Sequence, residues 1–194
     1  GGRPKGSRNK ASLKLARELM DTDSLEAAQI LSAITFAWLY KVSGQRTLTI
    51  GLPMHGRAGR WQKQTPGLFM EIFPLTITIE NEENLIDIVR SVQDEMLALM
   101  RHSSAGSVSA NQLKKINVVL NYIPIQYDQF AGLPVEIDWL HSGHMDPGHC
   151  IRIQVEDFEN KGQLRLHFDL NDKYFGDFDH TIISSHFMKS VDAF

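Results

Sequence analysis

Residues 46–57 read RTLTIGLPMHGR, and the order of the surrounding elements follows from them. The β-branched residues of 46–54 make a strand, which Gly51 and Pro53 interrupt. Such interruptions mark a strand end or a place where another part of the chain comes close. On the N-terminal side, residues 25–41 carry Ala27, Ile30, Leu31, Ile34, Ala37 and Trp38 at helical spacing. These positions cover a wide face, so the helix is expected to be well buried. Ser43-Gly44 ends it, and residues 21–24 (DTDS) supply N-cap candidates for its start. On the C-terminal side, residues 55–67 (HGRAGRWQKQTPG) form a polar loop rich in cations. Residues 68–79 are strongly apolar and then alternate, Ile77 and Ile79 against Thr76 and Thr78, which predicts a second strand.

The remainder continues the mixture. Residues 80–84 form an acidic turn that favours the start of a helix. Residues 85–102 are amphipathic, with Leu85, Ile88, Val89, Val92, Met96, Leu99 and Met100 on one side. Residues 103–109 are a loop of small residues, and 116–123 (INVVLNYI) read as a buried strand. Residues 127–134 are a connection, 135–140 alternate, and 141–149 (HSGHMDPGH) are a turn-rich loop. Residues 150–158 and 163–170 alternate about a hairpin turn at Glu159-Asn160-Lys161-Gly162. A short helical pattern over 12–20 precedes all of this, and an amphipathic helix over 177–191 closes it. No repeat with a period of about 20–50 residues is present. The expected fold class is α/β or α+β: a mixed sheet with helices packed on it.

The chain has 194 residues and a formal net charge of -3. That length removes about 70% of the unfolded surface from water, enough for a real core. With 42% hydrophobic residues, it is not collagenous, low-complexity or mostly disordered. One cysteine, Cys150, excludes a disulfide scaffold and fits a reducing compartment. No apolar run approaches the ~18 residues of a membrane span, and no signal-peptide pattern is visible. A cytoplasmic protein without a membrane partner is therefore expected. Residues 1–17 hold six basic residues and no acid, and Gly2-Arg3-Pro4 resembles an AT-hook. The same composition reads as a solvated linker, and DNA is not the expected partner. Residues 1–11 are taken as a basic flexible segment and 12–194 as the domain.

Four segments in this order resemble the C-terminal lobe of a condensation domain from nonribosomal peptide synthetases. They are residues 31–45 with the strand TLTIGLPMHGR, against a pattern IGxPxxGR; TPGLFMEIFPLTI at 65–77, against xGxFxNxLPLRx; INVVLNY at 116–122; and LRLHFDLNDKYF at 164–175, against LxLxxDxxxxxF. The resemblance covers residues from about 12 to 194 and is closest to starter or siderophore-type modules. It implies a chloramphenicol acetyltransferase-like half-domain. Some features depart from the family pattern. Glu71 stands where Asn is usual and Thr76 where Arg is usual. None of the eight histidines forms the family's H-H-x-x-x-D-G signature, which belongs to the N-terminal lobe.

The resemblance implies a parent that joins a carrier-bound acyl thioester to an amine, with no catalytic residue in this chain and no activity from it alone. The implied partners are the N-terminal lobe and acyl or peptidyl carrier domains. Phosphopantetheine-linked substrates take the place of a directly bound cofactor, and the isolated chain is expected to self-associate. Arg57 is the implied support of the His motif, by pairing with its Asp; without the resemblance it is a loop cation. Gly51, Pro53, Gly56, Gly67 and Asn121 shape the tunnel or its loops, or are ordinary turn and sheet residues. Gly67 is expected at positive φ. Arg60, Trp61 and Lys63 are candidates for a carrier or phosphopantetheine contact, or a solvated loop. His141, His144 and His149 with Cys150 or Asp146 are zinc-type ligands, but their spacing matches no common module and no metal is expected. By resemblance this segment is a latch over the other lobe. His167 reads as a packed or paired sheet residue, and Cys150 as a small buried hydrophobe. The competing functions are a free-CoA acyltransferase of this fold and a non-catalytic docking or scaffold lobe.

Overall fold

The computed structural model describes residues 7–10, 24–57, 60–81, 83–102, 106–125, 129–135, 137, 148–156, 164–176 and 179–193. Helix α1, Ser24–Ser43, is the central pillar. Ala27, Leu31, Ala33, Ile34, Phe36 and Trp38 are buried, and so are Ser32 and Thr35. The two hydroxyls are satisfied inside the helix: Ser32 Oγ donates to Ala28 O at 2.7 Å and Thr35 Oγ1 to Leu31 O at 2.8 Å. Gly44 ends the helix at φ +67, its N–H still reaching Tyr40 O.

Strand β2, Thr47–Met54, pairs antiparallel with β3, Glu71–Thr78, over its whole length. The short helix α2, Arg60–Gln64, lies between them in sequence. Helix α3, Leu85–His102, follows, then a single capped turn α4, Ala110–Leu113, and strand β4, Val118–Ile123. Strands β5 (Gln129–Phe130) and β6 (Leu133–Pro134) form a separate two-stranded hairpin. Strands β7 (Ile151–Glu156) and β8 (Arg165–Leu170) and helix α5 (Asp179–Asp192) complete the described elements.

With β1, Ser7–Lys10, the main sheet has six strands in the order β1-β8-β7-β4-β2-β3. Its centre is parallel (β2–β4 and β4–β7) and its margins are antiparallel. This is the mixed sheet expected. Strand β1 lies in the segment expected to be flexible. Its backbone instead pairs with the open edge of β8, Ser7 opposite Phe168 and Lys10 opposite Arg165. The helical pattern at 12–20, the turn at 159–162 and most of the alternating stretch 135–140 lie outside the described residues.

Helices α1, α3 and α5 cover one face. Ile88, Val92 and Met96 of α3 recur every fourth residue and are buried, as are Phe187 and Val191 of α5. They meet Leu48, Ile50, Leu75, Ile77, Val118, Leu120, Ile153, Val155, Leu166 and Phe168 in one core. Phe187 stacks edge-on against both Trp38 and Phe168, each at 5.4 Å between ring centres. Trp38 Nε1 donates to His186 Nδ1 at 3.0 Å, so burying the indole leaves no orphan donor. The opposite face of the sheet carries the polar partners of the alternation.

Candidate functional site

The polar face gathers its residues by register. Asn121 of β4 stands opposite Gln154 of β7, and Gln154 opposite His167 of β8, so three polar side chains lie in one row. Asn121 Nδ2 donates to Gln154 Oε1 at 3.3 Å. Pro53, Met70, Glu71, Ile72, Val119, Asn121, Arg152 and Gln154 line a cavity of about 210 Å³. A larger open cleft of about 670 Å³ shares Glu71 and Ile72 with it and extends past Lys114, Asn117, His149 and Tyr174. Of the residues singled out in sequence, Pro53 and Asn121 therefore meet in one cavity. Gly51 sits just behind it. A Cβ there would stand 2.6 Å from an Ile72 methyl and 2.7 Å from an Ile116 methyl, which is the close approach its sequence position anticipated.

Arg57 organises the neighbouring loop. Its guanidinium donates to the carbonyls of Gln62, of Thr65 at 2.7 Å and of Gly67 at 2.6 Å, and lies 4.3 Å from the centre of the Phe69 ring. Three carbonyls of one loop converge on the planar fork that only arginine offers. Gly56 and Gly67 make the turns at φ +49 and +147, the latter as expected. Thr65 Oγ1 closes α2 onto Trp61 O at 2.7 Å. This frame holds out Arg60, Trp61 and Lys63, all exposed, with Trp61 at 81% and the nearby Leu68 at 86%. None of these three lines either cavity.

Other candidates separate. His141, His144 and Asp146 lie outside the described residues. His149 Nδ1 sits 3.0 Å from Ile116 O and Cys150 Sγ 4.0 Å from Asn117 Oδ1, and burial pushes the Cys150 thiol upward. His167 pairs with Glu156 at 3.1 Å, both almost fully buried and neither lining a cavity, so this pair is closed to a substrate in the two clefts. Arg152, Gln154 and Tyr174 were not singled out in the sequence. The first two belong to the alternating stretch 150–158, and the parallel register with β4 brings them to the cavity beside Asn121. That register is invisible without the partner strand.

The sequence profile of the condensation domain family matches residues 7–194. The chain belongs to the condensation domain family. This condensation-domain chain is 22% identical over 160 residues to the dimodular nonribosomal peptide synthase of Bacillus subtilis (strain 168), covering 78% of the chain and 7% of that protein. It is 33% identical over 130 residues to malpibaldin synthetase of Mortierella alpina, covering 60% of the chain and 2% of that protein. The first condensation domain of the CDA synthetase superposes with a TM-score of 0.77 at 20% identity, covering 97% of this chain and 43% of that one. The starter condensation domain of rhizomide synthetase RzmA, in a mutant complex with C8-CoA and Leu-SNAC, gives 0.76 at 19% identity, covering 98% and 45%. The chain thus spans less than half the length of the solved condensation domains it matches. Among the described residues no helix is long and apolar enough to cross a membrane.

Proposed function

We propose that this chain is the C-terminal lobe of a nonribosomal peptide synthetase condensation domain and forms one wall of its reaction chamber. The observation that carries the reading is a pair of facts. The chain accounts for 43% to 45% of two solved condensation domains, and its sequence holds no adjacent His-His pair. In the reaction, the amine nitrogen of an acceptor attacks the carbonyl carbon of a carrier-bound thioester. The C–N bond forms, the C–S bond breaks, the nitrogen loses a proton, and the pantetheine thiol leaves. The lobe's share is positioning: holding both partners in place removes much of the entropic barrier. The cavity-bearing polar face is the surface that would face the chamber, since the helices already cover the other face.

The partners in this reading are a His-bearing N-terminal lobe and acidic carrier domains, with substrates on phosphopantetheine arms in the cytoplasm. Arg60, Trp61 and Lys63 offer an exposed cationic and aromatic contact for a carrier. Arg57, committed to its own loop, supports that surface and the chamber edge. The test is reconstitution. The chain is mixed with an acyl-pantetheine thioester and an aminoacyl-pantetheine thioester, with and without a separately produced lobe carrying H-H-x-x-x-D-G, and amide product is measured by mass spectrometry. The chain alone is expected to give none above background, and the pair to give amide and free thiol. Amide made by the chain alone, or none from the pair, contradicts the reading.

A further inference from the structure

We propose that Glu71 is the recognition point for a primary ammonium group, the group that the acceptor amine bears in its protonated form. This rests on the function proposed above and gives that function a binding site.

Glu71 opens β3, at the junction of the two cavities, and lines both. Its Oε1 accepts the Gly106 N–H at 2.6 Å, which fixes the carboxylate. Its Oε2 is closed from bulk solvent and, among the described residues, has no hydrogen-bond partner. Among the described residues Glu71 forms no ion pair either. A carboxylate oxygen deprived of both water and a donor raises the free energy of the fold, and native proteins satisfy such atoms almost without exception. The oxygen calls for a donor, which water, the Lys114 ammonium that shares the larger cleft, or a ligand entering either cleft can supply.

Among the groups that the proposed substrates carry, the donor requirement and the carboxylate's charge favour one. A primary ammonium carries three N–H donors and a full positive charge. A phosphate or a thioester carbonyl brings only acceptors and gives Oε2 no proton; its place in these cavities is beside Arg152 or Lys114. The surroundings fit the rest of an aminoacyl group. Ile72, Pro53 and Val119 give apolar wall, and the Asn121 and Gln154 amides give polar contacts for a neighbouring carbonyl. The family pattern places Asn here, so the charge belongs to this chain's own sequence.

The test uses the 15N-labelled chain and two probes, leucinamide and N-acetyl-leucinamide, which differ in the ammonium. The Gly106 amide is the reporter because its proton rests on Glu71. Leucinamide is expected to shift the Gly106 resonance saturably, and the N-acetyl probe to leave it in place. Glu71→Gln, which keeps an oxygen for Gly106 but loses the charge, is expected to weaken leucinamide binding about tenfold. Should that variant fail to fold, Glu71→Asp retains the charge and is expected to bind leucinamide more weakly than the parent but still in preference to the N-acetyl probe. Equal responses to the two probes, unchanged affinity in Glu71→Gln, or no response to leucinamide up to its solubility limit overturns the site. These readings need no chemistry. Lost amine binding beside intact reconstituted activity removes Glu71 alone, and intact binding beside failed reconstitution removes the function alone.

Discussion

Arg57 places its guanidinium on three carbonyls of its own loop, and this decides what its loss does. Arg57→Ala frees residues 60–67 while the core stays intact. Cleavage by trypsin after Arg60 and Lys63 is expected to rise about tenfold, while global unfolding shifts by only about 1–2 kcal/mol. Arg57→Lys does not restore protection, because one ammonium cannot span the Gln62, Thr65 and Gly67 carbonyls. Gly51 fails differently. Its missing Cβ is the space taken by the Ile72 and Ile116 methyls, so Gly51→Ala overpacks the sheet and is expected to cost about 1–3 kcal/mol in urea unfolding. Cys150 sets a pH dependence. Burial raises its thiol above the ordinary value of 9.0, so the folded chain keeps the neutral thiol where the unfolded chain already ionises. Its stability contribution is whole below 9.0 and falls as pH rises beyond it. Iodoacetamide is accordingly expected to alkylate the folded chain more slowly than the urea-unfolded chain near that pH; equal rates contradict the burial.

At the scale of elements, periodicity was enough wherever a long face had to be buried. The spacing of Ile88, Val92 and Met96 gives α3 its bounds, Leu85–His102, as read from sequence. The strands at 47–54, 118–123, 151–156 and 165–170 fall inside their expected stretches. What sequence reading lost are the short pieces that bury nothing. Helix α2 has no buried residue, so it carries no apolar pattern; it is held by Arg57 and Thr65, contacts made from outside it. Turn α4 did leave a trace, since Ser109 and Gln112 form a capping box. The β5–β6 hairpin turns through Ala131 at φ +52 and Gly132 at φ +80. Alanine disfavours that region, which hid the hairpin behind an unremarkable dipeptide. Ala131→Asn creates the favoured Asn-Gly pair and is expected to stabilise the hairpin by about 0.5–1 kcal/mol, read as slower amide exchange at Phe130 and Leu133. The candidate site was legible in part. Pro53 and Asn121 stand out as breaks in apolar strands, but Arg152, Gln154 and Tyr174 reach the clefts only through strand register and chain return.

For the whole molecule, the two faces of the sheet divide the work. Helices α1, α3 and α5 close one face over a shared core. The other holds two clefts and a polar row, beside a loop that leaves Trp61, Leu68 and Met70 in water, at 81%, 86% and 55% exposure. Large exposed apolar side chains beside open clefts fit the proposed chamber wall. In the reading proposed above, the sheet face rather than the helical face meets the N-terminal lobe. Hydrogen exchange of this chain, measured alone and with a His-bearing N-terminal condensation lobe, tests that claim most directly. The account predicts saturable one-to-one binding, with new protection at residues 67–72 and at the exposed hairpin, and none on the outer side of α3 or α5. Absence of binding, or protection confined to the helical face, would contradict it.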